Sequence, residues 1–166
     1  MSFTGSATMN VCIIPARGGS KRIPRKNVRD FCGRPMIAWS ILAAVESGCF
    51  DRVIVSTDDS EIADVARQWG AETPFQRPEE FSGDHVATIP VIAHAINWLK
   101  SRGFDARLTC CLYATAPFVQ PQMLRQGYEQ LVVSGADYAF SVTSFPFPIQ
   151  RAIKITTRGQ IGRAHV

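Results

Sequence analysis

The apolar run Val11-Cys12-Ile13-Ile14 passes without a break into Pro15-Ala16-Arg17-Gly18-Gly19-Ser20-Lys21-Arg22-Ile23-Pro24-Arg25-Lys26-Asn27. A buried strand that empties into a glycine-bearing basic loop narrows the fold sharply. In open α/β sheets, ligands sit beyond the carboxyl ends of the strands, and this loop leaves the first strand at that end. Six cations fall between Arg17 and Arg29: Arg17, Lys21, Arg22, Arg25, Lys26 and Arg29. Gly18 and Gly19 let backbone N–H groups turn toward an anion with no Cβ in the way. Arginine offers phosphate a planar fork and lysine a point charge. Pro24 stiffens the loop and reduces the entropy lost on binding. The pattern points to a polyphosphate ligand. No G-x-x-x-x-G-K-[ST] phosphate loop and no G-x-G-x-x-G dinucleotide fingerprint occurs in it.

Strands and helices alternate after the loop. Residues 10–15 predict a buried strand. Pro35 opens a helix to Ser47, with Ile37, Ile41, Leu42 and Val45 as its apolar stripe and Gly48 as its stop. A second strand is predicted over 52–57. A helix to Trp69 follows, capped by Asp59 or Ser60 and ended by Gly70. Short strand 72–76 precedes a long helix capped by Thr88 and ending at Gly103. Apolar residues 108–113 read as a buried strand. A helix over 121–133 and strands over 138–143 and 152–156 complete the pass. The order predicts an α/β fold with a mainly parallel sheet covered by helices on both faces.

At 166 residues the chain is expected to form one domain with a real core. It is 46% hydrophobic and 19% charged, which excludes a disordered or collagen-like chain. Net charge is +4, and the opening loop holds six of the 18 Lys and Arg. The loop lacks interleaved aromatics and no recognition-helix pattern follows, so nucleic acid is not expected as a partner. No run approaches about 18 apolar residues, so no membrane span is expected. Five cysteines, Cys12, Cys32, Cys49, Cys110 and Cys111, show no C-x-x-C pair and no zinc spacing. Reduced, buried thiols in a cytoplasmic protein are the expectation.

Residues Ala16 to Asn27 complete the pattern Ala-Arg-x-x-Ser-Lys-x-x-Pro-x-Lys-Asn. This pattern resembles the nucleotide-binding signature of the CMP-nonulosonic acid cytidylyltransferases, the acylneuraminate cytidylyltransferase-like family. Asp51-Arg52-Val53-Ile54-Val55-Ser56-Thr57-Asp58 resembles the family's second strand, which ends at an aspartate. Arg77-Pro78-Glu79-Glu80-Phe81-Ser82-Gly83-Asp84 resembles its Arg-Pro loop. Where sialic acid members carry a glutamine, this chain has Tyr113. The Tyr113-Ala114-Thr115-Ala116-Pro117-Phe118 version, with the segment 144–152, resembles the branch that activates pseudaminic acid. The likeness covers about residues 9 to 160.

The resemblance implies a Rossmann-like, three-layer sandwich of the nucleotide-diphospho-sugar transferase type. It implies attack by the anomeric hydroxyl of a nonulosonic acid on the α-phosphorus of CTP, releasing pyrophosphate. Arg17, Lys21 and Lys26 would act on the triphosphate, with Gly18, Gly19 and Ser20 as backbone donors. Ala16 and Asn27 would complete the nucleotide site. Arg77 and Thr88 would lie near the cytosine base, and Tyr113 and Thr115 would face the sugar. Asp59 reads as a helix cap. Asp58 reads equally as a cap or as a site residue. His94 reads as structural, and His85 as a candidate substrate contact.

Mg²⁺ is expected with CTP, because a triphosphate carries about four negative charges. Its ligands are unknown: sialic acid members use late carboxylates, and no acidic residue follows Asp137 here. Asp58 and Asp84 are the candidates. Other acid sugars (sialic, legionaminic or keto-deoxyoctonic acid) remain open as acceptors, as does a nucleotide-binding fragment without turnover. The resemblance also implies a role in glycan biosynthesis such as flagellin glycosylation, and a full-length homodimer. Residues 1–8 are expected to be a disordered extension, with Met1 or Met9 as the start. The end, Ile161-Gly162-Arg163-Ala164-His165-Val166, can be encoded by a common sequencing-adapter sequence. A non-native tail over 161–166 and a domain over 9–160 that is truncated at its C-terminus are therefore expected.

Overall fold

The computed structural model describes residues 7–144 and the backbone of 153–155 and 161–163. Strand β1 (Ala7–Pro15) is central. Val11 and Ile13 point to one face of the sheet and Cys12 and Ile14 to the other, all at 0% exposure. Burial on both faces is why the run is continuously apolar rather than alternating. Parallel β4 (Arg52–Ser56) pairs along one edge, from Val11↔Arg52 to Pro15↔Ser56. Parallel β5 (Phe104–Cys111) pairs along the other, ending at Ile13↔Cys111. The sheet order is therefore β4-β1-β5.

A small antiparallel hairpin, β2 (Asp30–Phe31) and β3 (Arg34–Pro35), follows the basic loop. Its turn uses Cys32 at φ 55° and Gly33 at φ 83°, the left-handed pair that a two-residue hairpin needs. Helices α1 (Met36–Ser47) and α2 (Ser60–Gln68) cover the Cys12/Ile14 face with Ile37, Ile41, Ala44, Ile62 and Ala66. Helix α3 (Thr88–Ser101) covers the opposite face, where Ala95 and Leu99 meet Val11, Ile13 and Ile54. Helix α4 (Pro121–Ser134) packs on α1. Its Arg125 donates to the carbonyls of Glu46 (3.0 Å) and Ser47 (3.1 Å), satisfying acceptors that a helix end leaves open. The three-layer α/β sandwich with a parallel sheet is as the sequence predicts. No helix among the described residues is long and apolar enough to cross a membrane.

Several local expectations are corrected. Ala7 and Thr8 lie in β1, paired with Phe104 and Asp105, rather than in a disordered extension. Residues 72–76 form no strand; only Glu72 bridges to Ile54. Thr88 is the first residue of α3, whose N-cap is Ala87, with no side-chain cap. Strand β5 begins four residues before the expected Leu108 and is half open, its residues alternating between intermediate and exposed. Polar Asp105 and Arg107 on its open side hid this from an apolar-run reading. Residues 138–143 are not a strand: Tyr138, Phe140 and Val142 are more than 80% exposed, and the segment meets no ladder partner among the described residues. Cys12 is buried, but Cys32 and Cys111 are exposed. Strand β6 (Ile153–Ile155) pairs antiparallel with β7 (Ile161–Arg163), which falls in the segment expected to be non-native. The expected match at 145–152 lies outside the described residues, as do residues 1–6 and 164–166.

Candidate functional site

The basic loop leaves the end of β1 beside β4 and closes on itself at the start of α1. Ala16, buried, donates its N–H to Ser56 O at 2.9 Å, continuing the β1–β4 ladder by one residue. Asn27, 6% exposed, donates Nδ2 to Arg17 O at 2.9 Å. Its own carbonyl accepts from Ile37 N–H at 2.9 Å. Asn27 therefore ties the two ends of the loop together and fastens them to α1.

The far side of the loop is held by the turn after β4. Gly18 N–H donates to Asp58 Oδ1 at 3.0 Å. Asp59 caps α2 by accepting from Ile62 N–H at 3.0 Å, as its sequence position predicts. The same carboxylate takes both ends of the Arg25 guanidinium, at 2.5 and 3.0 Å, and Arg25 also reaches Glu61. Arg25 sits at φ 54°, a strained backbone for a side chain of this size, and this bidentate grip is what offsets it. Asp59 is held below the usual carboxylate range, chiefly by Arg25 and then by the Ile62 N–H, against its own burial.

That shift has a pH signature. A depressed carboxylate stabilises the fold above its unfolded value of about 3.9 and loses the contribution as pH falls through the lower folded value. Asp59→Ala is expected to cost about 1 kcal/mol at pH 7 through the lost cap and Arg25 contact. In urea titrations the gap between variant and parent should stay constant from about pH 7 to pH 5 and shrink below about pH 4. A gap that persists unchanged in acid would show that the Asp59 charge contributes nothing.

Above the carboxyl ends of the strands lies a cavity of about 560 Å³. Arg17, Lys21, Arg22, Lys26 and Arg77 line it, against one carboxylate, Asp84. Asp84 accepts from Arg17 Nη1 at 2.6 Å and pairs with Lys21. These two cations hold it below the usual range, Lys21 first. Lys26 has no ion-pair partner among the described residues. Arg77 is 5% exposed and donates to the carbonyls of Ser56 and Phe81, while its Nε finds no partner among the described residues. Burial holds its guanidinium below its ordinary value; Asp58 draws it up and Arg17 pushes it down.

At the opposite wall, Thr88 Oγ1 and Tyr113 Oη are 3.2 Å apart, and Thr115 is exposed beside them. Ser40 Oγ holds Tyr113 by donating to its carbonyl at 2.9 Å. The hydroxyl of Thr88 thus serves the cavity and not the helix end.

The structure therefore gathers Arg17, Ser20, Lys21, Lys26, Asn27, Arg77, Thr88, Tyr113 and Thr115 around one space. Ala16, Gly18 and Gly19 are not among its lining residues. Of the expected backbone donors, Gly18 N–H is engaged by Asp58 and Ser20 N–H by Gly18 O (2.9 Å). Gly19 is open: a Cβ there would meet nothing within 4 Å. Exposed His85 is not among the cavity's lining residues. His94 packs against Phe75 and Phe81, with ring centroids at 4.9 and 5.1 Å, which fits its structural reading. Sequence reasoning missed the Arg25–Asp59–Glu61 clamp. The signal was present: β1 and β4 were both predicted as strands, and parallel neighbours bring their trailing loops together.

Asp58 and Asp84, the candidate metal ligands, are both engaged by protein groups. Among the described residues no group of three or more His, Cys, Asp or Glu side chains could hold a metal. Asp58 is engaged by Gly18 and Asp84 by two cations.

The cytidylyltransferase family model matches residues 11–152, from the first strand through the whole cavity wall. The chain belongs to the cytidylyltransferase family. It is 46% identical over 152 residues to the pseudaminic acid cytidylyltransferase of Campylobacter jejuni serotype O:2, covering 92% of this chain and 66% of that one. It is 38% identical over 125 residues to the CMP-N,N'-diacetyllegionaminic acid synthase of Legionella pneumophila, covering 75% and 54%. Among solved structures it is similar to CMP:2-keto-3-deoxy-manno-octonic acid synthetase complexed with CTP. That match has a TM-score of 0.64 and 24% identity over 79% of this chain and 49% of that one. The likeness supports the fold. The chain thus spans just under two thirds of the length of the Campylobacter relative.

Proposed function

We propose that this chain is the nucleotide-binding part of an enzyme that transfers CMP from CTP to the anomeric hydroxyl of a nonulosonic acid, with release of pyrophosphate. Pseudaminic acid is the proposed acceptor. The observation that carries the reading is the cavity beyond β1 and β5, with five cations against one carboxylate. A site of that charge and size suits a triphosphate with a second anionic substrate. The acceptor rests on relatives: two Campylobacter proteins named for pseudaminic acid are 45–46% identical over 92% of the chain, while the legionaminic acid synthase is 38% identical over 75% and a Helicobacter pylori protein named in part for pseudaminic acid is 33% identical over 81%.

In this reading the sugar hydroxyl attacks the α-phosphorus in line with the departing pyrophosphate. Negative charge grows on the bridging and leaving oxygens, so the protein's task is positioning and charge stabilisation. Lys26 and Arg17 meet the phosphates. Buried Arg77, whose Nε finds no partner among the described residues, meets a polar edge of the base. Tyr113, braced by Ser40 and Thr88, orients the sugar with Thr115. A divalent cation, Mg²⁺ by its preference for phosphate oxygens, would accompany CTP. The described residues bring no three carboxylate, histidine or cysteine groups together for it, and no step here depends on it. The proposal sets the reaction in the cytoplasm, in a full-length homodimer, without nucleic acid as a partner.

The test is pyrophosphate release from CTP by protein of the relatives' full length, across pseudaminic, legionaminic, sialic and keto-deoxyoctonic acids. Release is expected to be fastest with pseudaminic acid and slower with GTP or ATP in place of CTP. Preference for another sugar would overturn the acceptor. CTP binding with no release from any sugar would reduce the reading to nucleotide binding without turnover.

A further inference from the structure

Asp84 is the one carboxylate among the residues lining a cavity that otherwise carries five cations, and it is spent entirely on two of them. Its Oδ1 takes Arg17 and its Oδ2 takes Lys21, so each oxygen does what a phosphate oxygen would do. Neither cation has another carboxylate within reach among the described residues. The loop that carries Asp84 is tethered at both ends. At one end Arg77 N–H donates to Thr57 O at 2.8 Å. At the other end α3 begins at Thr88. Between them, Phe81 rests on the His94 ring of α3. Asp84 itself lies beyond that anchor, between Gly83 and His85, with its side chain 30% exposed. The carboxylate therefore stays near the cations at high local concentration, yet is not locked onto them.

We propose that Asp84 is a built-in stand-in for phosphate: it neutralises Arg17 and Lys21 when the site is empty and exchanges with phosphate oxygens when a polyphosphate binds. The inference rests on the nucleotide-binding reading above. Exchange has two consequences. It weakens apparent affinity, because only the fraction of molecules with free cations can accept ligand. It also helps pyrophosphate to leave, because the returning carboxylate takes its place without leaving bare cations behind. Asp84 is thus a positioning residue for product release.

The test is calorimetric binding of inorganic pyrophosphate to the 166-residue chain in buffer containing a metal chelator. Asp84→Asn keeps the shape of the side chain and removes its charge. It is expected to tighten pyrophosphate binding about fivefold, with Asp84→Glu restoring the parent value. A carboxylate that merely held Arg17 and Lys21 in position would give the opposite sign. Unchanged or weaker binding by Asp84→Asn, while the parent binds and Lys26→Ala weakens that binding, would overturn the role of Asp84 and leave the nucleotide reading intact. No binding of either CTP or pyrophosphate to the parent would overturn both.

Discussion

Alanine at Lys26 is expected to weaken CTP binding about tenfold or more, roughly 1.4 kcal/mol. Three observations single this residue out from the six cations of the loop. It lines the cavity, among the described residues no carboxylate neutralises it, and it is half-buried, whereas Arg22, the other lining cation of the loop without an ion pair there, is exposed. Arg17 and Lys21 must first give up Asp84, and Arg25 is committed to Asp59 and Glu61. An unpaired cation loses only its hydration when it meets phosphate, so most of its interaction appears in affinity. Arg29→Ala is the matched control: its side chain is exposed and does not line the cavity. It should leave affinity unchanged. Titration calorimetry of both variants decides the point. Equal effects of the two would mean that the loop acts only as diffuse positive charge, and Lys26 would leave the site.

Gly18→Ala is expected to cost about 2 kcal/mol of stability, the range of an overpacked site. A Cβ at Gly18 would stand 2.5 Å from Asp59 Oδ2 and 2.9 Å from Asp59 Cβ. The Asp59 carboxylate has nowhere to turn, since moving it gives up both the α2 cap and the Arg25 pair. Gly19→Ala is the comparison. Its added Cβ meets nothing, and the residue does not need a left-handed backbone, so its stability should change by less than about 0.5 kcal/mol. Urea unfolding of the two neighbours separates a steric requirement from the general flexibility of glycine. Equal stability of both variants would mean that Asp59 yields freely and that the clamp is loose.

The contrast between these glycines shows what each level of structure decides. By sequence alone, Gly18 and Gly19 are equivalent donors in an anion loop. In the fold, one is pressed against Asp59 and the other faces open space. The same holds for the cations. Their number and spacing are written in the chain, but which are paired depends on Asp59, Glu61 and Asp84, which lie 34 to 67 residues away. Thr88 shows the limit from the other side. Its position before a helix predicts a cap, while Tyr113, two residues past the end of β5, offers its hydroxyl a different partner.

Local chemistry and periodicity in the sequence were enough to determine the α/β alternation, the buried first strand, the caps at Asp59 and Gly48, and a basic loop at the carboxyl end of that strand. Each of these depends on neighbours within one element, where hydrophobic period and backbone preference act directly. Tertiary structure alone decided three things. The half-open β5 and the 138–143 segment, which meets no ladder partner among the described residues, depend on what lies beside them, because a strand is defined by its partner's hydrogen bonds rather than by its own residues. The division of cations into clamped, shielded and free depends on carboxylates brought in by the crossovers between parallel strands. The orientation of Arg77, buried with its Nε unpartnered among the described residues, depends on the Ser56 carbonyl at the end of β4 and the Phe81 carbonyl four residues along its own loop.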